Sequence, residues 1–173
     1  MKIIIPARKG SKGLPGKNRL LFEHTISKIP KIYKKDVIVT TDDEVIIEQL
    51  SSSECKTLKR QKALSEDITS TRDVLQDAID KYNISEDEQI IMLYLTYPER
   101  TWKDIEQALE FYSKTKARSL LCCSDVKVNP FLCMLKKDNY KGAQIIEHNL
   151  YRRQDYPECF EISHFISIFQ SDE

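Results

Sequence analysis

Several short stretches of this chain are apolar without alternating with polar residues, and that pattern narrows the fold more than any other feature. Residues 3–6 (IIIP), 36–41 (DVIVTT) and 89–96 (QIIMLYLT) carry continuous runs of branched and large apolar side chains. Such runs suit strands covered on both faces, the situation of a parallel sheet. Helical patterns separate them. Asp42 and Asp43 can cap a helix whose apolar side is Val45, Ile46, Ile47 and Leu50. Thr69-Ser70 can cap another, with Val74, Leu75, Ala78, Ile79 and Tyr82 at helical spacing. After a turn at residues 97–100, Thr101 and Asp104 resemble a capping box, and Trp102, Ile105, Ala108, Leu109 and Tyr112 mark the buried side of the helix it opens. Residues 119–123 form a fourth strand. Strand and helix therefore alternate through residue 123 with no Pro/Gly-rich linker, which predicts an α/β fold: an open, mainly parallel sheet with helices on both faces. From Val128 the rhythm changes to a hairpin, residues 130–135 and 143–146 around a polar turn at 138–142, and residues 162–169 read as a last strand. A single domain over 1–173 with a hairpin insertion at about 128–150 is expected. An appended hairpin of this kind often packs against another subunit.

The stretch directly behind the first strand carries the functional signal. Gly10, Gly13, Pro15 and Gly16 keep it from helix, while Arg8, Lys9, Lys12, Lys17 and Arg19 crowd positive charge into it. Residues 1–22 hold six Lys or Arg and no acid, although the whole chain balances 27 cations against 27 acids. Net neutrality removes the general argument for nucleic acid or an anionic membrane, and a local cluster fits a compact anion. In open α/β sheets ligands sit beyond the carboxyl ends of strands, where this loop lies. Glycines let backbone amides approach phosphate oxygens, and Arg8 and Lys17 supply charge-assisted bonds. The loop is neither G-x-x-x-x-G-K-[ST], since Gly16-Lys17 is followed by Asn18, nor G-x-G-x-x-G.

Five cysteines, Cys55, Cys122, Cys123, Cys133 and Cys159, form no C-x-x-C pair, and His24, His148 and His164 are scattered. Reduced, mostly buried thiols are expected and a zinc site is not. No apolar run approaches the length of a membrane span, and the N-terminal run is too short for a signal-peptide core, so a cytoplasmic location is the default expectation.

The stretch IIPARKGSKGLPGKN, about fifteen consecutive positions, resembles the signature of the cytidylyltransferases that activate sialic and related nonulosonic acids. The segments VIVTTDDEVI, RQKALSEDITSTRDVLQDAI, LYLTYPERT, VNPFLCML and YRRQDYPECFEISHFISIF are similar to further motifs of that family in the same order. The resemblance implies a three-layer Rossmann-like nucleotidyltransferase fold with a dimerisation hairpin, and transfer of CMP from CTP to a 2-keto sugar acid with release of pyrophosphate. It implies that Arg8 and Lys17 contact phosphates, with Lys17 facing the reacting one, and that Ala7, Ser11, Gly13 and Asn18 complete the nucleotide cradle. Arg60 matches an arginine near the cytosine edge, and Thr69 a small residue whose backbone helps to read the base. Arg152 or Arg153 falls in the arginine region near the sugar carboxylate, a solvated surface pair being the other reading. Arg100 resembles a framework arginine, and Asp42 reads as a helix cap ahead of any role at the site. Partners implied are CTP, the acceptor and a second copy of the chain, with no nucleic acid and no membrane.

The chain departs from the family pattern at several places. Tyr94 stands where the family has its substrate-side glutamine, Leu132 where it has a lysine, Ser163-His164 where it has Asn-Gly, and Ser167 where it has a tyrosine. These changes leave the acceptor open. The resemblance also implies Mg²⁺, held in the family by a D-x-D segment that lies beyond the point reached by residue 173. The metal ligands are therefore unknown, and the alternative expectation is a truncated or degenerate homologue that binds nucleotide without turnover, or a nucleotidyltransferase with another acceptor.

Overall fold

A computed structural model describes residues 1–11, 13–138 and 140–173, so Lys12 of the opening loop and Asn139 of the expected hairpin turn lie outside the described residues. The chain divides into two compact units, residues 1–121 with 164–173, and residues 122–163.

The first unit is built on a mostly parallel sheet. Strand β1 (Lys2–Pro6) pairs in parallel with β2 (Val37–Thr41), Ile3 opposite Val37, and on its other side with β4 (Gln89–Met92), Ile4 opposite Met92. β3 (Lys56–Lys59) extends the sheet in parallel beyond β2. β8 (Phe160–Gln170) runs antiparallel to β4, and β5 (Ser119–Asp125) completes the order β3-β2-β1-β4-β8-β5. The unalternating runs are what such a sheet demands: Ile3, Ile4, Ile5, Val37, Ile38, Val39, Ile90 and Ile91 are all fully buried. One face carries Ile4, Ile38 and Ile90 against Ala78 of helix α3 (Thr71–Tyr82) and Ile84, with Leu75, Ile79 and Phe169 closing the edge. Burying each such isoleucine contributes about 1.5–3 kcal/mol. Helices α1 (Lys17–Ser27), α2 (Glu44–Leu50) and α4 (Trp102–Thr115) complete the unit. The capping box at α4 forms as its sequence predicts, Thr101 and Asp104 exchanging bonds. Among the described residues no helix is long and apolar enough to cross a membrane.

The second unit holds an antiparallel hairpin, β6 (Met134–Lys136) with β7 (Gly142–Gln144), Leu135 opposite Ala143. A small cluster stands beside it: the Phe131 ring lies 5.3 Å from His148 and 6.2 Å from Tyr156.

Two elements were not foreseen from the sequence, and two expectations need correction. Helix α1 has no apolar periodicity to announce it, because only Phe22 and Thr25 of its eleven residues are buried and Leu20 is exposed. β3 reads KTLK, short and half polar, as an outer strand can be. The third apolar run is strand only as far as Met92; the Leu93 amide still donates to the Ile4 carbonyl of β1, and residues 94–96 then leave the sheet. Of the five cysteines only Cys55 is buried, and Cys123 is exposed.

Candidate functional site

The opening loop is fastened at both ends. Ala7 is fully buried; its amide donates to the Thr40 carbonyl at 2.9 Å, and its own carbonyl accepts the Thr41 hydroxyl at 2.6 Å. The next anchor comes from Asp42, whose Oδ1 accepts the Lys9 amide at 2.7 Å. Asp42 therefore does not cap α2 as its sequence position suggested. Asp43 does, accepting the Val45 amide, because the residue nearer the helix has the reach. Asp43 is 1 % exposed and also accepts the Arg19 Nε at 2.6 Å. Burial opposes its ionisation, but the Arg19 and Val45 bonds outweigh that and hold its pKa below the ordinary carboxylate value. Two adjacent acids at the end of β2 thus hold the loop on one side and the helix that leaves it on the other.

Gly16 ends the loop at φ +70°, in the left-handed region that an L side chain rarely adopts, and there the chain turns into α1. No side chain caps this helix and its first turn contains no acid. The N-terminal end of a helix carries a partial positive charge that favours a nearby anion. Lys17 opens the helix, and Asn18 reaches back so that its Nδ2 donates to the Arg8 carbonyl at 2.8 Å.

Arg8, Lys17 and Asn18 line one side of a cleft of about 240 Å³ beyond the carboxyl ends of β1 and β4. Arg60 enters it from behind β2: its amide donates to the Thr41 carbonyl, and its Nε to the carbonyl and hydroxyl of Thr40 at 3.2 and 3.0 Å. Arg60 is 8 % exposed, and burial pulls its pKa down to about 10, the nearby Asp42 opposing and Arg8 adding to the fall. It stays charged at neutral pH, in a place that penalises the charge. The opposite wall is the segment from Glu66 to Thr71 that leads into α3, and the floor is residues 94–96, the part of the third apolar run that left the sheet.

Six of the residues singled out from sequence meet here: Arg8, Lys17, Asn18, Arg60, Thr69 and Tyr94. Thr69 spends its amide on the Glu66 carbonyl and its hydroxyl on Ala63. The Tyr94 hydroxyl bonds to Thr71 Oγ1 at 2.8 Å, and its ring meets His164 edge-on at 5.4 Å. Thr71 and Tyr94 also line a larger cavity of about 930 Å³ along α3, so they stand between the two spaces. Ala7, Ser11 and Gly13 are not lining residues: Ala7 acts as the buried anchor, and Gly13 is exposed. Arg100, 4 % exposed, donates to the carbonyls of Tyr94 and Phe165, and so braces the floor as a framework residue. Arg152 and Arg153 belong to the second unit, where Arg152 makes a two-pronged bond to Asp155, both contacts at 2.8 Å, and Arg153 is exposed.

Sequence reasoning missed Asp67, whose Oδ1 accepts Arg8 Nη1 at 2.5 Å, and Glu66 beside it. No periodicity marks either; the available signal was that both lie in the stretch RQKALSEDITSTRDVLQDAI, whose resemblance to a family motif includes the aspartate at position 67. Among the described residues no three His, Cys, Asp or Glu side chains gather as a metal cage. A separate gap beside Thr25, Ile29 and Trp102 measures about 10 Å³, too small for more than a water.

A family model described as Cytidylyltransferase matches residues 2–169. The chain is 33% identical over 162 residues to an N-acylneuraminate cytidylyltransferase of Streptococcus agalactiae serotype V, covering 88% of this chain and 39% of the relative. It is 28% identical over 180 residues to a CMP-N,N'-diacetyllegionaminic acid synthase of Campylobacter jejuni, covering 97% and 76%. Among solved structures, a CMP:2-keto-3-deoxy-manno-octonic acid synthetase complexed with CTP superposes with a TM-score of 0.64 at 20% identity, over 99% of this chain and 74% of that one. The chain spans 39% of the length of the streptococcal relative it matches.

Proposed function

The chain belongs to the cytidylyltransferase family, and from that premise we propose that it transfers CMP from CTP to a sialic-acid-like 2-keto sugar acid and releases pyrophosphate. The acceptor's anomeric hydroxyl attacks the α-phosphorus while the bond to the pyrophosphate oxygen breaks. Such a reaction asks the protein for position and for charges aimed at the phosphates rather than for covalent chemistry. The observation that carries the reading is the meeting of Arg8, Lys17 and Arg60 in one cleft, beside a helix N-terminus without a side-chain cap.

In this reading Lys17 faces the reacting phosphate and Arg8 the rest of the triphosphate. Asn18 sets the Arg8 backbone, and Arg60 lies toward the base. The Thr69 amide is committed within its own turn, so base reading there falls to its carbonyl. Tyr94 stands at the acceptor end, and the region of Arg152 and Arg153 is assigned to the acceptor carboxylate. Mg²⁺, if bound with the triphosphate, would be held by phosphate oxygens and several waters with one or two carboxylates at most; the described residues build no cage for it.

The hairpin unit exposes Leu132, Met134, Leu135 and Ile145. An apolar patch of this kind suits an interface, and we assign it to a second copy of the chain. The cytoplasm, which supplies CTP, is the proposed compartment.

The test is calorimetry with CTP, then pyrophosphate release with Mg²⁺ and a panel of 2-keto sugar acids. CTP binding with turnover of at least one acid is expected. Lys17→Met should cut turnover by about 10²–10³-fold, the range for loss of one aimed charge or donor. Tight CTP binding with no turnover on any acid would leave a nucleotide-binding protein in place of a transferase.

A further inference from the structure

The cleft meant for a triphosphate already holds an anion of the protein's own. Arg8 Nη1 meets Asp67 Oδ1 at 2.5 Å, and both side chains line the cleft. The pair is partly open to solvent, 30% for Arg8 and 43% for Asp67, so it can part without stranding a buried charge. Each partner is hinged close to a fixed point. The Arg8 carbonyl is held by Asn18, which leaves the long side chain as the part that swings. Downstream of Asp67 the wall is held by Thr69 bonding to Ala63 and by Ser70 capping α3.

We propose that Asp67 is the resident counter-ion of this site: it holds the Arg8 guanidinium in the empty cleft, surrenders it to an entering phosphate, and takes it back as product leaves. The proposal rests on the CTP reading for its nucleotide, but the exchange itself needs only a phosphate group. Its consequence is that nucleotide binds more weakly than the cations alone would allow, and leaves faster. Glu66 lines the same wall without an ion pair to Arg8, so neutralising it separates general repulsion from loss of a competitor.

The experiment measures Kd for CTP and for pyrophosphate by calorimetry, with steady-state turnover alongside, in the wild type, Asp67→Asn, Asp67→Glu, Glu66→Gln, Arg8→Gln and the Asp67→Asn/Arg8→Gln double variant. Circular dichroism checks that each is folded. Asp67→Asn should tighten both ligands by about 2–5-fold, the range for a partly exposed pair, with KM and kcat falling together as release slows. Asp67→Glu keeps the charge and should fall between the wild type and Asp67→Asn, Glu66→Gln should change less than Asp67→Asn, and the Asp67→Asn effect should vanish when Arg8 is Gln. Weaker or unchanged binding in Asp67→Asn, or tightening that survives loss of Arg8, overturns the counter-ion. Pyrophosphate tightening without any CTP binding would sink the nucleotide reading and leave the exchange standing. Failure of the wild type to bind either ligand would sink both.

Discussion

Replacing Arg60 with methionine should make the empty protein more stable while abolishing its response to CTP. Arg60 is 8 % exposed, and burial draws the pKa of its guanidinium down to about 10 from its ordinary value. At about 1.4 kcal/mol for each tenfold change in proton affinity, holding the charge there costs on the order of 3 kcal/mol at neutral pH. Methionine has similar length and keeps much of the aliphatic packing. It forfeits the Nε bonds to the Thr40 hydroxyl and carbonyl and a long 3.5 Å contact from Nη1 to the Leu64 carbonyl, together a loss of about 1–2 kcal/mol, while the Thr40 carbonyl keeps the Ala7 amide. The net expectation is a gain of about 1–2 kcal/mol in the free energy of unfolding, measured by urea titration at pH 7.5. With CTP at a hundred times its Kd the wild type should gain about 2.7 kcal/mol and the variant close to nothing. The pH dependence follows from the same cause. Above about pH 10 the folded arginine releases a proton that the unfolded chain still holds, so wild-type stability should rise with pH there, and Arg60→Met should lack the rise. A variant less stable than the wild type by more than about 1 kcal/mol would refute the reasoning, since the bonds to Thr40 would then outweigh the burial penalty.

Acid should unfold the protein in part through Asp43, Asp36 and Asp104, all held below the ordinary carboxylate value. Their contribution is complete above about pH 4 and is lost as pH falls through the folded values; Asp43→Asn should flatten that acid limb in a stability-versus-pH curve. Thr101→Ala removes half of the α4 capping box and should cost about 1 kcal/mol, or roughly 2–4 °C in Tm, by calorimetric scanning. Ile38→Ala opens the cluster under α3 and should cost about 2–5 kcal/mol in urea unfolding.

The parts of the fold that could be read in advance are those whose side chains answer to one local rule. Ile3-Ile4-Ile5 must be covered on both faces wherever they lie, and the capping box at Thr101 needs only its own four residues. Helix α1 and strand β3 escaped because neither has a strong rule of its own. α1 buries two residues and is started by the turn at Gly16, and β3 forms because the edge of β2 is there to pair with. The run at residues 89–96 is apolar from Ile90 to Leu95, yet only residues 89–92 are strand, and no pattern within the run marks the break.

The site divides along the same line. The sequence alone determined that a glycine-rich, cationic loop follows a buried strand, and with it Arg8, Lys17 and Asn18. Tertiary structure decided which more distant residues join them: Arg60 carried in on the end of β3, Tyr94 turned out of the sheet, and Asp67 paired to Arg8 across 59 positions of chain. It also decided that Asp42 holds the loop while its neighbour Asp43 caps α2 and holds Arg19. Local pattern fixes what a residue needs, burial or a hydrogen-bond partner. Which partner meets the need depends on strand register and helix placement, and those are settled only when the sheet and its covering helices pack together.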